Sequence, residues 1–303
     1  MLNRRTSESF QKAVISLQES VNTDPNFALA YAALGDSYGV MAAYGVSPED
    51  SIKKAKFMAR KALAIDNSIA EAHATLAVMA QFHDRNSVEA ENEYRLAFAL
   101  DPNYASAHMG HSVILEAEGR FEEEMHELEI AHRLDPRSLL IPIADGESLY
   151  MARRYDQAIE TLTRVQEMEP NLDATYFWRG LAYEQKGRFQ DAISDLQRAI
   201  EIDHKAINLA ALGHIYALSG RKQEAQKILL SLDKRAEHEY VDPWCYGVIY
   251  AGLGDRDAAF HWLEKAYQQR SYWIFALKVA AVCDSLHSDP RFSAMVHRLG
   301  LDQ

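Results

Sequence analysis

Three prolines constrain this chain more than any other feature. Pro102, Pro136 and Pro170 stand 34 residues apart, and His204 takes the next step of that length. Each is approached through the same kind of phrase: AFALDP, AHRLDP, RVQEMEP and RAIEID. Self-similarity at a fixed period means a run of small supersecondary units. None can bury its apolar face alone, so stacked neighbours supply the core. Other positions keep the register. Tyr31, Leu34, Gly35 and Tyr38 open the first full copy, followed by Ala55, Ala59 and Ala62, with Asn67 in the proline position. Looser copies carry His73, Leu76 and Ala90, then His108, His111 and Leu115, then Gly146, Leu149 and Ala158. The best copy holds Tyr176, Gly180, Tyr183, Ala192, Leu196 and Ala199. Leu212, Gly213 and Tyr216 repeat it, as do Tyr246, Gly247 and Tyr250.

This pattern resembles the tetratricopeptide repeat, W-x2-L-G-x2-Y, then A-x3-F, then P. About seven copies share one register over residues 28–271. The resemblance implies an all-α fold, a right-handed superhelical solenoid of antiparallel helix pairs. Residues 1–27 are then a lead-in helix, the second of an incomplete repeat, with Ala13, Leu17 and Pro25 in its positions. Either that helix caps the array or the chain is part of a longer protein. Residues 272–303 are expected to form capping helices, because a terminal repeat must shield its outer face.

The residue types have physical reasons. Gly180, Gly213 and Gly247 let paired helices approach closely, where a larger side chain would overpack the contact. Gly119, Gly187, Gly220 and Gly254 sit at the turns between paired helices, where a chain leaves a helix through a left-handed residue. The first full copy is interrupted between Tyr38 and Ala55; Ser47 is expected to cap the next helix and Pro48 to lie in its first turn. Lys53, Lys54, Lys56, Arg60 and Lys61 on that helix form a solvated face or meet an acidic partner. The end of the chain is similar to repeat arrays of bacterial signalling proteins through Tyr250 to Asp255, Leu263 to Tyr267 and Ser288 to Phe292. In that group an array follows a winged-helix domain, a Ser/Thr kinase or an adenylyl cyclase.

Composition narrows the function. The chain has 44 acidic and 32 basic residues, a net charge of -12, a poor balance for neutralising phosphates, so direct nucleic-acid binding is not expected. No apolar run approaches the roughly 20 residues of a membrane helix. Two cysteines, Cys245 and Cys283, are too few for a disulfide framework, which favours a reducing, cytoplasmic setting. No catalytic, cofactor or metal site is expected. His108 and His111 occupy packing positions of the repeat, and the helix opening His126-Glu127 has Ile130 where a zinc protease needs its second histidine. Gly252 and Gly254 coincide with a repeat turn rather than following a strand. The run Glu122, Glu123, Glu124, Glu127 and Glu129 opens a helix, where negative charge suits the dipole, and is expected to be a solvated face.

What remains is surface. In tetratricopeptide arrays the first helix of each pair lines the concave groove. Carried over, the partner-binding residues are Asp36, Glu71, Met109, Glu116, Glu147, Tyr150, Phe177, Glu184, His214 and Trp244. The basic clamp of the chaperone-binding branch is missing, since Asp36 and other non-basic residues stand in its places. An acidic groove with an aromatic floor suits a basic or amphipathic protein segment, the expectation for a non-enzymatic scaffold. The alternatives are the sensor half of a transcription regulator, kinase or cyclase, with an output domain attached upstream, and a self-assembling structural protein.

Overall fold

The computed structural model describes residues 7–43 and 48–302. These are all-α, in helix pairs, with no strand among the described residues. Backbone contacts divide the chain into two units. The first is Met1–Ile114 with His126–Ser138, and the second Leu115–Met125 with Leu139–Gln303.

In the first unit lie α1 (Ser7–Thr23), α2 (Ala28–Ala43), α3 (Pro48–Ile65), α4 (Ala70–Met79) and α5 (Ser87–Leu100). It also holds most of α6 (Ala105–Glu118) and of α7 (Phe121–Leu134). The alanines of the repeat explain the packing of α2 on α3. Ala55, Ala59 and Ala62 are fully buried, and a Cβ on Gly35 would come within 3.1 Å of the Ala55 carbonyl oxygen. Around this close approach Val21, Tyr31, Leu34 and Ile69 make one apolar core. Helix α4 ends in a π-helical turn, Ala80–Asp84. Pro48 opens α3 as expected, whereas Ser47 lies outside the described residues.

The second unit continues with α8 (Leu140–Met151), α9 (Tyr155–Met168), α10 (Asp173–Gln185) and α11 (Phe189–Ile202). Next come α12 (Ala206–Leu218), α13 (Lys222–Ala236), α14 (Pro243–Leu253) and α15 (Arg256–Gln268). Two short 3-10 turns follow, Trp273–Lys278 and Ala281–Leu286, before α16 (Pro290–Arg298). The close-approach glycines are tight here as well. A Cβ would sit 3.1 Å from Leu196 at Gly180, 2.9 Å from Ile249 at Gly213 and 3.0 Å from Leu263 at Gly247.

Helix ends obey local rules set by the repeat. After several second helices an acidic side chain accepts the amide two residues on, as Asp24 does from Asn26 at 3.0 Å and Asp101 from Asn103 at 2.9 Å. The chain thus turns where the proline phrase stops the helix. Between paired helices, Gly119, Gly187, Gly220 and Gly254 are left-handed, as expected, and so are Arg85 and Arg153. The next residue's amide donates back five positions, Arg120 to Leu115 at 2.8 Å and Arg154 to Leu149 at 2.7 Å, in Schellman fashion. The 34-residue step runs Arg85, Gly119, Arg153, Gly187. Two positions of the series therefore hold arginine in a backbone conformation that favours glycine.

Candidate binding surface on the first helices

In the first unit, Asp36 on α2 is exposed, and Glu71 on α4 and Met109 on α6 are half-buried. The structure brings the two carboxylates toward one phenol. Burial, then the charges of Asp36 and Glu71, push the Tyr104 hydroxyl well above its ordinary range. On the same unit His108 and His111 share Glu127. His108 Nδ1 lies 2.6 Å from Glu127 Oε2 and its Nε2 donates to the Pro102 carbonyl at 3.1 Å. Burial opposes a charge on His108, but the acceptors at its two ring nitrogens raise it above the ordinary imidazole value. His111 is ion-paired to Glu127 at 3.3 Å and to Glu91 at 3.4 Å. Burial opposes ionisation of Glu127, but the two histidines outweigh it and hold its carboxyl down at about 2. Among the described residues no group of three His, Cys, Asp or Glu is placed to hold a metal ion.

The second unit treats its assigned residues differently. Glu116, Tyr150, Phe177, Glu184, His214 and Trp244 are buried, and Glu147 is half-buried. His214 Nδ1 on α12 lies 3.0 Å from Glu184 Oε2 on α10, and the Tyr150 hydroxyl is buried with no hydrogen-bond partner among the described residues. Glu116, Glu124 and Glu147 form a second buried group. Burial, then Glu147 and Glu124, push Glu116 well above the carboxylate range. Burial pushes Glu124 and Glu147 up to about 8 each. Glu124 is thus not part of a solvated face. It points inward from the first turn of α7, whereas Glu122, Glu123 and Glu129 of the same run are exposed.

Over these first helices lie residues 272–286. The Trp273 ring is 6.0 Å from Phe177 and 6.2 Å from Trp178 on α10. Lys278 Nζ donates to the Glu118 carbonyl at the end of α6 at 2.8 Å. Arg153, after α8, donates from both terminal nitrogens to Asp284, at 2.9 and 2.7 Å. Ser285 Oγ donates to the Ala251 carbonyl on α14 at 3.4 Å. At the segment's start, buried Ser271 donates to Asp242 at 2.7 Å, the carboxylate that caps α14.

Besides Ala280 and Ala281, seven larger apolar side chains of the segment are buried: Ile274, Phe275, Leu277, Val279, Val282, Cys283 and Leu286. Their burial is worth roughly 10–20 kcal/mol, and ordering a segment of this length costs roughly 20 kcal/mol. With those near balance, the specific anchors decide how firmly it stays. Sequence reasoning missed Arg153, Trp273 and Tyr104 as members of the surface. Arg153 had a signal, since it breaks the glycine series at its 34-residue step.

Residues 144–207, spanning α8 to the start of α12, match a tetratricopeptide repeat family model. Over those residues the chain is similar to tetratricopeptide repeat proteins. Among curated proteins the chain is 23% identical over 229 residues to the TPR repeat-containing protein YpiA of Bacillus subtilis, covering 74% of this chain and 52% of that one. It is 26% identical over 233 residues to the transcriptional regulator HilA of Salmonella typhimurium, covering 75% of this chain and 35% of HilA. The chain thus spans about half of one relative and about a third of the other. Pseudomonas aeruginosa PilF has a similar solved structure, with a TM-score of 0.51 at 23% identity, over 70% of this chain and 93% of that one. The fold class is accordingly that of tetratricopeptide helix-pair solenoids. No helix among the described residues is long and apolar enough to cross a membrane.

Proposed function

We propose that this chain is a non-enzymatic protein-interaction scaffold that binds a basic or amphipathic partner segment through the first helices of its repeats. The observation that carries this is the convergence of Asp36 and Glu71 on Tyr104 in the first unit, with Asp36 exposed. An aromatic hydroxyl in the field of two carboxylates suits a lysine- or arginine-bearing segment, and carboxylates at such a rim act mainly on encounter and specificity. No cofactor enters this function, and a cytoplasmic setting goes with it. The residues 28–271 act as the repeat array, with residues 1–27 as lead-in and 272–303 as cap. The test is binding of labelled basic amphipathic helices by fluorescence anisotropy. Asp36→Lys with Glu71→Lys should weaken binding at least about tenfold and flatten its salt dependence. Equal affinity in that variant would remove the assignment.

A second reading has support from the similarity to HilA over 75% of this chain. Here the repeats would be the regulatory part of a larger transcription regulator, kinase or cyclase, with the output domain encoded upstream. Reading the coding frame immediately before Met1 tests it directly.

A further inference from the structure

The face of the second unit formed by the end of α6 with α8, α10 and α14 is not open. Residues 272–286 lie on it, and they do so as a bound segment would: one aromatic ring on an aromatic wall, one cation on a backbone carbonyl, one carboxylate on a guanidinium. These anchors are Trp273, Lys278 and Asp284. They reach three different helix pairs, and Lys278 and Glu118 are 160 residues apart in the chain.

Arg153 makes this contact from a backbone conformation that favours glycine. Its position belongs to the turn series in which Gly119, Gly187, Gly220 and Gly254 are left-handed, and it keeps that conformation at φ 64. The turn alone would favour glycine. Only an arginine at this point supplies the two-pronged donor to Asp284. Beneath the segment lie groups that its side chains do not satisfy, among them the buried Tyr150 hydroxyl. The segment itself is made of 3-10 turns rather than α-helix, a weaker hydrogen-bonding geometry seen in short pieces. It follows Arg270, another non-glycine residue with positive φ.

We propose that residues 272–286 are the resident occupant of a segment-binding surface on the first helices of the second unit. A partner segment carrying the same anchors, an aromatic residue followed by a cation and then a carboxylate, takes their place by displacing them. This rests on the scaffold reading above but is tested without knowing the natural partner. Opening of part of a repeat protein below global unfolding is the general mechanism that makes such exchange possible.

The experiment has two arms on the full chain. In the wild type, hydrogen exchange should show the amides of residues 272–286 opening on the order of tenfold or more faster than those of α14 and α15. Exchange of that segment only together with α14 and α15 would make it a fixed cap and overturn the proposal. In the second arm Trp273→Ala is combined with Asp284→Asn, both on the segment, so that Arg153 and the aromatic wall that the segment contacts are left unchanged. The variant should keep its helical circular dichroism and expose residues 272–286 to exchange. It should also bind a fluorescein-labelled peptide of residues 270–288 at least about tenfold more tightly than wild type does. A variant with a released segment that fails to bind this peptide overturns the proposal. So does equal binding by wild type and variant. Should the variant unfold, the wild-type exchange pattern decides alone. A partner that binds while residues 272–286 keep their full protection refutes displacement and leaves the scaffold function standing. Displacement by the labelled peptide with no response to basic amphipathic helices refutes that function and leaves the occupant.

Discussion

The two units carry the same repeat and use its first helices in opposite ways. In the first, Asp36 faces solvent and Glu71 and Met109 are half-buried. In the second, Glu184, His214 and Phe177 are buried and the chain's own residues 272–286 lie over α10. Ionisation differs in the same sense. Glu127 in the first unit sits between two histidines and stays charged. Glu116, Glu124 and Glu147 in the second lie against one another, and burial favours their neutral forms. A repeat fixes where helices go, but the burial of a side chain depends on what else the chain lays over it.

The largest effect should come from placing a charge at equivalent faces of the two units. Glu184→Lys puts a cation beside His214 in a site closed to water, and breaking a buried pair in this way costs about 3–5 kcal/mol. Hydrogen exchange in α10 and α12 should rise accordingly. Asp36→Lys, on an exposed site, should stay within about 0.5 kcal/mol. Equal damage in both variants would mean that the two faces do not differ. A loss of partner binding in Glu184→Lys would therefore report unfolding before it reported recognition.

The pH response should separate the units next. A carboxyl raised in the folded state contributes stability while protonated in both states, so that contribution is full below about pH 4.5. It falls as pH rises toward the value of about 8 held by Glu124 and Glu147. Glu124→Gln should remove part of that slope and stabilise the second unit at pH 8 by about 1–3 kcal/mol. Glu127 behaves in reverse. Its carboxyl is depressed to about 2, so its contribution is present above the ordinary glutamate value and lost as pH falls toward 2. Glu127→Gln should leave less acid sensitivity in the first unit. Exchange followed from pH 5 to 8 in α6–α9 checks the first claim. If Glu124→Gln leaves the slope unchanged, another group governs it.

Glycine packing gives a smaller contrast. A Cβ at Gly146 in α8 would fall 2.5 Å from Leu162, so Gly146→Ala should cost about 1–3 kcal/mol. At Gly39 in α2 the nearest atom is the flexible end of Met79, at 3.3 Å. Gly39→Ala should be neutral or gain up to about 1 kcal/mol of helix preference. Thermal melts of the two variants should shift in different directions or by clearly different amounts.

Much of this was legible in the sequence, for reasons tied to particular residues. Gly180 and Gly247 mark close helix approach because no other residue type leaves that space. Gly187 and Gly220 mark turns because their backbone is left-handed. The expected groove residues were harder. Phe177 and Trp244 fall on first helices as the repeat requires, but the repeat carries no information on what covers them. That information lies in Trp273, Lys278 and Asp284, outside the periodic part, and in partners far away in the chain. Glu124 was misplaced for a related reason. Its acidic neighbours Glu122 and Glu123 suggested a uniform face, but one position of the same helical turn points inward.

The finest comparison uses two arginines in the same turn position. Arg85 in the first unit and Arg153 in the second both hold positive φ, at 55 and 64. Replacing either with glycine relieves a left-handed backbone cost of about 1–2 kcal/mol, part of which glycine's greater chain entropy offsets. Arg85→Gly reports that backbone relief in the first unit together with the side chain's own contribution there. Arg153→Gly gains the same relief but loses the pair with Asp284. Both partners of that pair are partly exposed, so the loss is about 0–1 kcal/mol. Its net effect on the melt should be near zero, while exchange at residues 272–286 rises. A gain in melting temperature equal to that of Arg85→Gly, with no change in the exchange of those residues, would mean that Arg153 holds nothing that its glycine neighbours do not.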